Sequence, residues 1–369
     1  MRIAFHTTLN DFDDGRISGD RRMARQLVAV LRRLGHEVTP LAAARTYMHE
    51  PDATDLAAKQ EAATLQVEAM LAGWHDGSQA PNLWFTYHHY YKAPDLLGPA
   101  ITQRLGIPYV VAEASDSARR AEGEWAQHVA LARTGFPKAA VHFYFTERDR
   151  KGVEPWCGPK TRFIALPPFI DITSLPQPTR AEHHEPHLVA VAMMRPGNKH
   201  ESYQSLARIL ATLADRPWRL TLIGDGAMRR DIEADFAQFA PGRVTFRGVL
   251  DAAAIAAMLA DGDVFVWPGL REAYGLVYLE AQAAGLPVVA FDSGGVPATV
   301  KRGITAFLEP SGDEAAFAGS LRRLLDDATL RRRMGAAASN FVRTERDFGR
   351  AQEIVAQGLA LACEARTEA

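Results

Sequence analysis

The sequence predicts an α/β protein made of two domains, each with a parallel β-sheet flanked by helices. The chain has 369 residues, 47% of them hydrophobic, which is enough to fill two hydrophobic cores. Short apolar runs typical of buried strands alternate with longer segments of helical periodicity in both halves. The stretch Val264 to Val300 shows the repeating unit most clearly, because strand, loop, helix and strand follow one another as in a parallel βαβ crossover.

Net charge, cysteine content and the first residues narrow the class of protein. A formal net charge of −2 gives no overall attraction to nucleic acid, so no nucleic-acid partner is expected. Cys157 and Cys363 lie far apart without metal-type spacing, which fits reduced thiols in the cytoplasm. The chain enters a strand directly, and no run approaches about 20 apolar residues. We therefore expect a cytoplasmic protein that is soluble or peripheral at the inner face of a membrane.

The first domain is predicted over residues 1–172, where apolar β-prone runs indicate strands and apolar residues three to four apart indicate helices. The predicted strands are Arg2–Thr7, His36–Leu41, Asn82–Tyr87, Pro108–Glu113, Val141–Phe145 and Arg162–Leu166, and the predicted helices are Asp20–Leu34, Asp52–Trp74 and Pro94–Leu105.

Three features of this domain bear on ligands. The loop after the first strand contains Gly15 and Gly19, in a position where ligand loops of α/β proteins lie. The first helix carries arginines that form either a solvated face or a basic surface for an anionic membrane or a lipid-linked acceptor. These are Arg21, Arg22, Arg25, Arg32 and Arg33. The segment Glu113 to Ser117 leaves a strand as a candidate acceptor loop.

The third strand runs into His88 and His89. Adjacent side chains of a strand point to opposite faces, so only one of the two is expected to face a ligand, and we favour His88. No third residue has a spacing that would complete a metal site with this pair.

Residues 172–187 are rich in proline, histidine and charge, which predicts an interdomain linker. Its histidines His183, His184 and His187 are interpreted as solvated rather than as metal ligands. The second domain is predicted over 173–347, with the loop Arg195 to His200 after its first strand. Its strands are Leu188–Met194, Leu220–Ile223, Val244–Phe246, Val264–Trp267 and Val288–Phe291, and its helices include Asp313–Asp326 and Ala328–Arg343, before a last helix at Phe348–Glu364.

Two glutamates mark the βαβ unit of the second domain. Glu272 lies in the loop before the helix and Glu280 inside it, about two turns further along at ~1.5 Å per residue. The free N–H groups of Tyr274, Gly275 and Leu276 would carry the positive end of the helix dipole towards an anion such as a diphosphate. Spacing alone leaves open the alternative of a surface helix with solvated glutamates.

The segment PGLREAYGLVYLEAQAAGLPVVA resembles the donor-binding signature of retaining GT-B glycosyltransferases of the family 4 type, the glycosyl transferases group 1. This family has two glutamates separated by seven residues. The resemblance implies the GT-B fold, two Rossmann-like domains that face a central cleft. It also implies that Glu272 contacts hydroxyls of the donor sugar and Glu280 the ribose. Gly269 and Tyr274 stand where relatives usually have serine and phenylalanine, which affects the finer sugar contacts.

Further positions follow from the same resemblance. Arg195 and Lys199 occupy the places of the arginine and lysine that bind the donor diphosphate, where fixed cations stabilise the charge of the departing group. Gly226 ends a Gly-Asp-Gly turn of the family, and Arg247 lies near the base. His88 resembles the histidine near the donor sugar, and Gly19 belongs to a loop that approaches the donor phosphates.

The resemblance implies transfer of a sugar from a UDP- or GDP-type nucleotide diphosphate-sugar to a saccharide, lipid-linked or small-molecule acceptor, with retention and without metal or cofactor. The Asp-x-Asp triplet Asp261 to Asp263 is interpreted as a turn rather than a metal motif. The last helix would cross back onto the first domain. Alternatives are a GT-B epimerase or phosphorylase and a catalytically silent sugar-nucleotide-binding protein. A dinucleotide oxidoreductase is disfavoured, since no GxGxxG follows the first strand.

Overall fold

The computed structural model describes residues 1–10, 12, 18–43, 45–74, 79–173, 175, 183 and 185–367. The chain divides into two compact units. Unit 1 comprises Met1–Pro167 and Gly349–Ala369, and unit 2 comprises Pro168–Phe348. Each unit contains one six-stranded parallel sheet with helices, so the predicted class of two Rossmann-like α/β domains is confirmed.

The four central strands of the unit 1 sheet are largely buried, whereas the two edge strands are more exposed. The strand order is β2-β1-β3-β4-β5-β6, and the order reverses between β1 and β3, which makes that point the topological switch of the sheet. The strands are β1 Arg2–Thr7, β2 Glu37–Pro40, β3 Leu83–His89, β4 Tyr109–Ala114, β5 Val141–Tyr144 and β6 Arg162–Ala165. The helices are α1 Gly19–Arg33, α2 Ala53–Gly73, α3 Gly98–Leu105, α4 Ala126–Gly135, α5 Glu147–Val153 and α12 Phe348–Thr367.

Unit 2 has the strand order β12-β11-β10-β7-β8-β9. Numbered from its own first strand, this is the order 3-2-1-4-5-6 typical of Rossmann folds, and its switch point lies between β7 and β10. The strands are β7 His187–Val191, β8 Arg219–Ile223, β9 Val244–Phe246, β10 Val264–Val266, β11 Val288–Asp292 and β12 Ala306–Pro310. The helices are α6 Asn198–Ala211, α7 Arg229–Asp235, α8 Ala252–Ala260, α9 Leu276–Ala283, α10 Glu314–Asp326 and α11 Ala328–Glu345.

Two helices begin at places that differ from the sequence-based expectation. Helix α3 begins at Gly98 rather than Pro94, because the buried carboxylate of Asp95 accepts hydrogen bonds from the backbone N–H of Leu97 and Gly98, each at 2.9 Å. Helix α6 begins at Asn198, inside the segment predicted as loop, so Lys199 lies in the first helical turn.

The two ends of unit 2 meet. The backbone N–H of Ile170 donates to the carbonyl oxygen of Arg346 at 2.9 Å, and the rings of Phe169 and Phe348 pack edge to face with centroids 5.6 Å apart. The chain therefore enters and leaves unit 2 side by side.

The arginines of α1 do not form one continuous surface. Arg21 is buried and its Nη1 donates to Ser18 at 3.2 Å, while Nη2 of Arg32 donates to the carbonyl of Val38 at 3.0 Å. In the described parts of the chain, no helix has the length and apolar character needed to cross a membrane.

Candidate functional site

The loops at the switch point of unit 2 bring the predicted donor-site residues together. Strands β7 and β10 are parallel neighbours, so the loops that follow them leave the same edge of the sheet. The loop after β7 leads to α6 with Arg195 and Lys199, and the loop after β10 leads through Glu272 to α9.

Lys199 and Glu272 form an ion pair at this edge. Nζ of Lys199 lies 2.5 Å from Oε2 of Glu272, and the two side chains are 26% and 18% exposed. The ammonium group also lies 5.5 Å from the ring centroid of the buried Trp267, which follows β10. The lysine is thus held between a carboxylate and an aromatic ring, with part of its surface open to solvent.

The loop of Glu272 is fixed by contacts with its neighbours in the fold. The backbone N–H of Leu270 donates to Oγ of Ser202 in α6, at 3.1 Å, and that of Arg271 donates to Oγ of Ser293 after β11, at 2.8 Å. The guanidinium of Arg271 binds side chains at the start of α6. The backbone around Glu272 is therefore held from both sides, which preorganises its carboxylate.

Gly294 packs directly against the backbone of this loop. Its backbone has a φ of +60°, and a Cβ placed there would lie 1.9 Å from the carbonyl oxygen of Glu272. The next residue, Gly295, donates its N–H to the same carbonyl at 2.9 Å. A side chain at residue 294 would displace the backbone of Glu272.

The N-termini of α6 and α9 both lie at this edge, and neither has a side-chain cap. Gly275 occupies the N-cap of α9, and Tyr274 and Leu276 on either side of it are buried. Glu280 lies in the second turn of α9 and is half-buried. Two uncapped helix N-termini beside a lysine form a site suited to an anion.

The remaining predicted donor residues of unit 2 lie at the ends of β7, β8 and β9. A Cβ on Gly226 would lie 2.3 Å from the carbonyl oxygen of Met194, so the Gly-Asp-Gly turn packs directly on the loop that carries Arg195. Arg195 itself is exposed, and its side chain forms no hydrogen bond or ion pair within the described residues. Arg247 is exposed after β9, and its backbone N–H donates to Leu222 at 2.9 Å.

In unit 1 the structure gives the two histidines different surroundings. His89 is fully engaged, since its Nδ1 accepts from the N–H of Asp95 at 2.8 Å and its Nε2 lies 2.9 Å from the carbonyl of Ala132. His88 has a left-handed φ of 63° and is turned towards carboxylates, with Nε2 3.6 Å from Asp20 and Nδ1 3.9 Å from Glu113. Gly19 is the first residue of α1, next to Asp20, whereas Gly15 lies outside the described residues.

Glu113 has a strongly shifted pKa, although the sequence analysis named it only as part of a candidate acceptor loop. Burial raises the pKa of Glu113 to about 7, against the opposing effect of His88. Burial also lowers the pKa of His88, but the carboxylates of Glu113, Asp20 and Asp149 outweigh it and raise that pKa above its ordinary value. Glu113 has a φ of 57°, which costs about 1–3 kcal/mol for a non-glycine residue, and sequence periodicity carries no signal for it.

Asp261 and Asp263 lie before β10, at the opposite edge of the sheet from Glu272. His183 contacts both, with Nε2 3.3 Å from Asp261 and Nδ1 2.9 Å from Asp263, and His187 lies 3.1 Å from Asp261. His183 is therefore paired rather than freely solvated, while His184 lies outside the described residues. Among the residues with described positions, no group of three or more His, Cys, Asp or Glu could hold a metal ion.

Comparison with known proteins gives a family match within unit 2 and a fold match over the whole chain. Residues 185–327 match the model of the family described as glycosyl transferases group 1. Sulfoquinovosyl transferase SQD2 of Arabidopsis thaliana is 40% identical over 123 residues, which is 32% of this chain and 24% of that protein. The match thus spans about a quarter of the length of this curated relative.

Two solved structures share the fold of the complete chain. Sucrose-phosphate synthase from Thermosynechococcus elongatus superposes with a TM-score of 0.74 at 21% identity, covering 96% of this chain and 97% of that one. The Anabaena protein HepE, solved in complex with UDP, has a TM-score of 0.71 at 15% identity and covers 98% of this chain and 100% of that one. These likenesses confirm the GT-B fold class.

Proposed function

We propose that this chain, whose residues 185–327 match the model of the glycosyl transferases group 1, transfers a sugar from a nucleotide diphosphate-sugar to an acceptor hydroxyl with retention of configuration. The observation that carries the proposal is the convergence of two uncapped helix N-termini with the Lys199–Glu272 pair at the switch point of unit 2. This arrangement offers positive potential for a diphosphate and a carboxylate for sugar hydroxyls beside it.

Each residue of the site has a role in this proposal. Lys199 and Arg195 bind the diphosphate and stabilise the charge that develops as it leaves. Glu272 accepts hydrogen bonds from hydroxyls of the donor sugar, and Glu280 from the ribose. The base lies against the turn around Arg247, and the uncapped N–H groups at the start of α9 face the phosphates.

The reaction follows from these positions. The bond between the anomeric carbon and the phosphate oxygen breaks while the acceptor oxygen bonds to the same face of the sugar. The acceptor's proton passes to the departing phosphate oxygen, so no separate base is required. Positive charge accumulates on the ring as in glycoside hydrolysis, while the negative charge goes to the diphosphate beside Lys199.

UDP is the nucleotide that we propose first, because the fold relative HepE was solved with UDP. The proposed acceptor is a saccharide or a lipid-linked molecule. Contact of α1 with a membrane is not part of the proposal, because Arg21 is buried and cannot contribute to a basic surface. A silent sugar-nucleotide-binding protein would need no leaving-group cation, so the position of Lys199 in the first turn of α6 favours an enzyme.

The test is a panel of UDP- and GDP-sugars in thermal denaturation, followed by proton NMR of the product formed from the sugar that binds. A bound donor should raise the melting temperature by mass action, by RT ln(1 + [L]/Kd) in free energy. The early product should have the anomeric configuration of the donor. An inverted product, turnover that requires free phosphate, or no stabilisation by any of these sugars would contradict the proposal.

A further inference from the structure

Glu113 and His88 lie opposite one another in neighbouring strands of unit 1. Strands β3 and β4 pair through Tyr87 with Ala112 and through His89 with Ala114, so that His88 and Glu113 occupy the intervening position of each strand. Both residues have a left-handed backbone, with φ of 63° and 57°. The two kinks turn both side chains towards the same place at the carboxyl end of the sheet, where Nδ1 of His88 lies 3.9 Å from Oε2 of Glu113.

Two polar atoms of this pair are buried without a hydrogen-bond partner in the described structure. They are Nε2 of His88 and Oε2 of Glu113. The side chains are 10% and 13% exposed, and the nearest carboxylate oxygen to Nε2, that of Asp20, is 3.6 Å away. Burying polar atoms without partners is costly, so a bound group that hydrogen-bonds to both would stabilise this arrangement.

The groups around this pair carry an excess of negative charge. Asp20 from α1 and Asp149 from α5 both raise the pKa of His88 and of Glu113. Burial, together with the charges of Asp20 and Glu113, raises the pKa of the Tyr90 phenol well above its ordinary value, so it remains a neutral hydrogen-bond donor. Burial raises the pKa of Asp149, and the charge of Arg148 on the same helix opposes this effect. Three carboxylates therefore surround one imidazole, and a further anion would meet repulsion.

We propose that the Glu113 carboxylate accepts a hydrogen bond from a hydroxyl of a neutral sugar or polyol acceptor while His88 donates one to it, and that acceptors bearing phosphate are excluded. This inference rests on the proposed glycosyl transfer, and it assigns acceptor selection to the charge of unit 1. A carboxylate beside an imidazole matches the paired acceptor and donor character of a hydroxyl. Repulsion between these carboxylates and a phosphate group would weaken the binding of a phosphorylated acceptor relative to a neutral one.

The test is carried out on the full chain with saturating UDP at pH 8, where Glu113 is mainly ionised. Histidine labelled with ¹³C reports on His88, whose signal is assigned with His88→Asn. The probes are methyl glucoside, methyl galactoside and methyl mannoside, each compared with its 6-phosphate. At least one neutral glycoside should shift the His88 signal, and its 6-phosphate should bind at least about tenfold more weakly.

Glu113→Gln retains the size of the side chain and an oxygen that can accept from Tyr87, but removes the charge. It should weaken binding of the neutral glycoside about ten- to hundredfold, because a hydrogen bond to a charged group is lost. It should also reduce the discrimination against the 6-phosphate, a readout that a purely structural role would not move, and it should lower the pKa of His88 because a nearby negative charge is removed. Glu124→Gln, at an exposed residue of the same unit, is the matched control and should change none of these.

The inference is overturned if no neutral glycoside shifts the His88 signal, if the phosphates bind as well, or if Glu113→Gln behaves like Glu124→Gln. UDP binding by the unmodified protein separates this failure from that of the proposed function. If UDP and its sugars do not bind at all, both proposals fall. If they bind while the glycosides show no charge preference, only the acceptor site is wrong.

Discussion

Lys199 and Glu272 are 73 positions apart in the sequence, yet Nζ of the lysine lies 2.5 Å from Oε2 of the glutamate. The pair joins the first turn of α6 to the loop before α9, across the switch point of the sheet. A donor that binds here meets the two residues as one charged unit, so the effects of changing them should be coupled.

Lys199→Ala should lower kcat by about 10²–10³, or roughly 3–4 kcal/mol, because the proposed role of the lysine is to stabilise charge that develops in the transition state. The double variant with Glu272→Gln should lose less than the sum of the single losses, which steady-state kinetics of all four proteins would show. Lys301→Ala is the control, since Lys301 also pairs with a glutamate, Glu345, and lies 5.1 Å from an aromatic ring. Near-native kcat in Lys199→Ala would remove the leaving-group role.

Glu280→Gln should raise KM for the donor and leave kcat nearly unchanged. Its proposed ribose contact is the same before and during bond cleavage, so the substitution removes uniform binding. Initial rates over a range of donor concentrations measure both constants. Glu233→Gln, at a partly exposed residue of α7 paired with Arg229, serves as the control. A steep fall in kcat without a change in KM would place Glu280 at the reacting centre instead.

Gly294→Ala and Gly303→Ala form a matched comparison. Both glycines have a left-handed φ, +60° and +74°, but a Cβ on Gly303 meets nothing within 4 Å, whereas one on Gly294 meets the carbonyl of Glu272 at 1.9 Å. Both substitutions carry the backbone cost of about 1–2 kcal/mol. Only Gly294→Ala should also reduce donor affinity, measured by calorimetric titration. Equal donor affinity in the two variants would show that the loop adapts without moving Glu272.

The buried Asp95 is expected to stabilise unit 1 in a pH-dependent way. Burial alone would raise its pKa, but His6 and the hydrogen bond from Thr86 outweigh burial and hold the pKa below its ordinary value. A carboxyl group whose pKa is lower in the folded state contributes stability above its unfolded pKa, near 4, and loses that contribution as the pH falls further.

Asp95→Asn should therefore reduce the free energy of unfolding at pH 7 by about 3–5 kcal/mol, since it removes one partner of a buried charged network. It should also flatten the fall in stability below pH 4, as measured by urea denaturation across the pH range. Asp55→Asn, which removes an exposed pair with Lys59, should cost at most about 0.5 kcal/mol. A similar small loss in both variants would contradict the role of Asp95.

Transfer should survive treatment with EDTA. The proposed leaving-group charge is stabilised by Lys199, Arg195 and helix N-termini, so no divalent ion is required in this account. The product yield before and after chelation, with and without added Mg²⁺ or Mn²⁺, measures this. Activity that is lost with EDTA and restored by either ion would contradict this prediction, and Asp261 and Asp263 would then be tested as metal ligands.

The sequence was most informative where function depends on local spacing. Glu272 and Glu280 are eight positions apart in one loop and helix, so their order could be interpreted without knowing the rest of the fold. The pairing of Glu272 with Lys199 could not be predicted from the sequence, because it depends on which strands become neighbours in the sheet. Sequence periodicity placed Lys199 in a loop, whereas Gly197, with its φ of 75°, ends that loop one residue before α6 begins.

The group of carboxylates around His88 in unit 1 could not be predicted from the sequence, for a different reason. Alternation along a strand assigns His88 and His89 to opposite faces, and it treats Glu113 as one more strand residue. His88 and Glu113 both have a left-handed backbone although neither is a glycine, the residue that usually signals this conformation in a sequence. Their contact also joins two strands that are distant in the sequence, so local spacing could not predict it.

The hydrogen bond from Ile170 to Arg346 brings the entrance and the exit of unit 2 to one place. A segment whose two ends meet can be exchanged as a cassette, because both splice points fall within one small cluster that also holds Phe169 and Phe348. Recombination between relatives could thus replace residues 168–348 as a block and leave the rest of the chain intact. Under the proposed function, donor preference in unit 2 and acceptor preference in unit 1 would then be free to diverge as separately inherited traits.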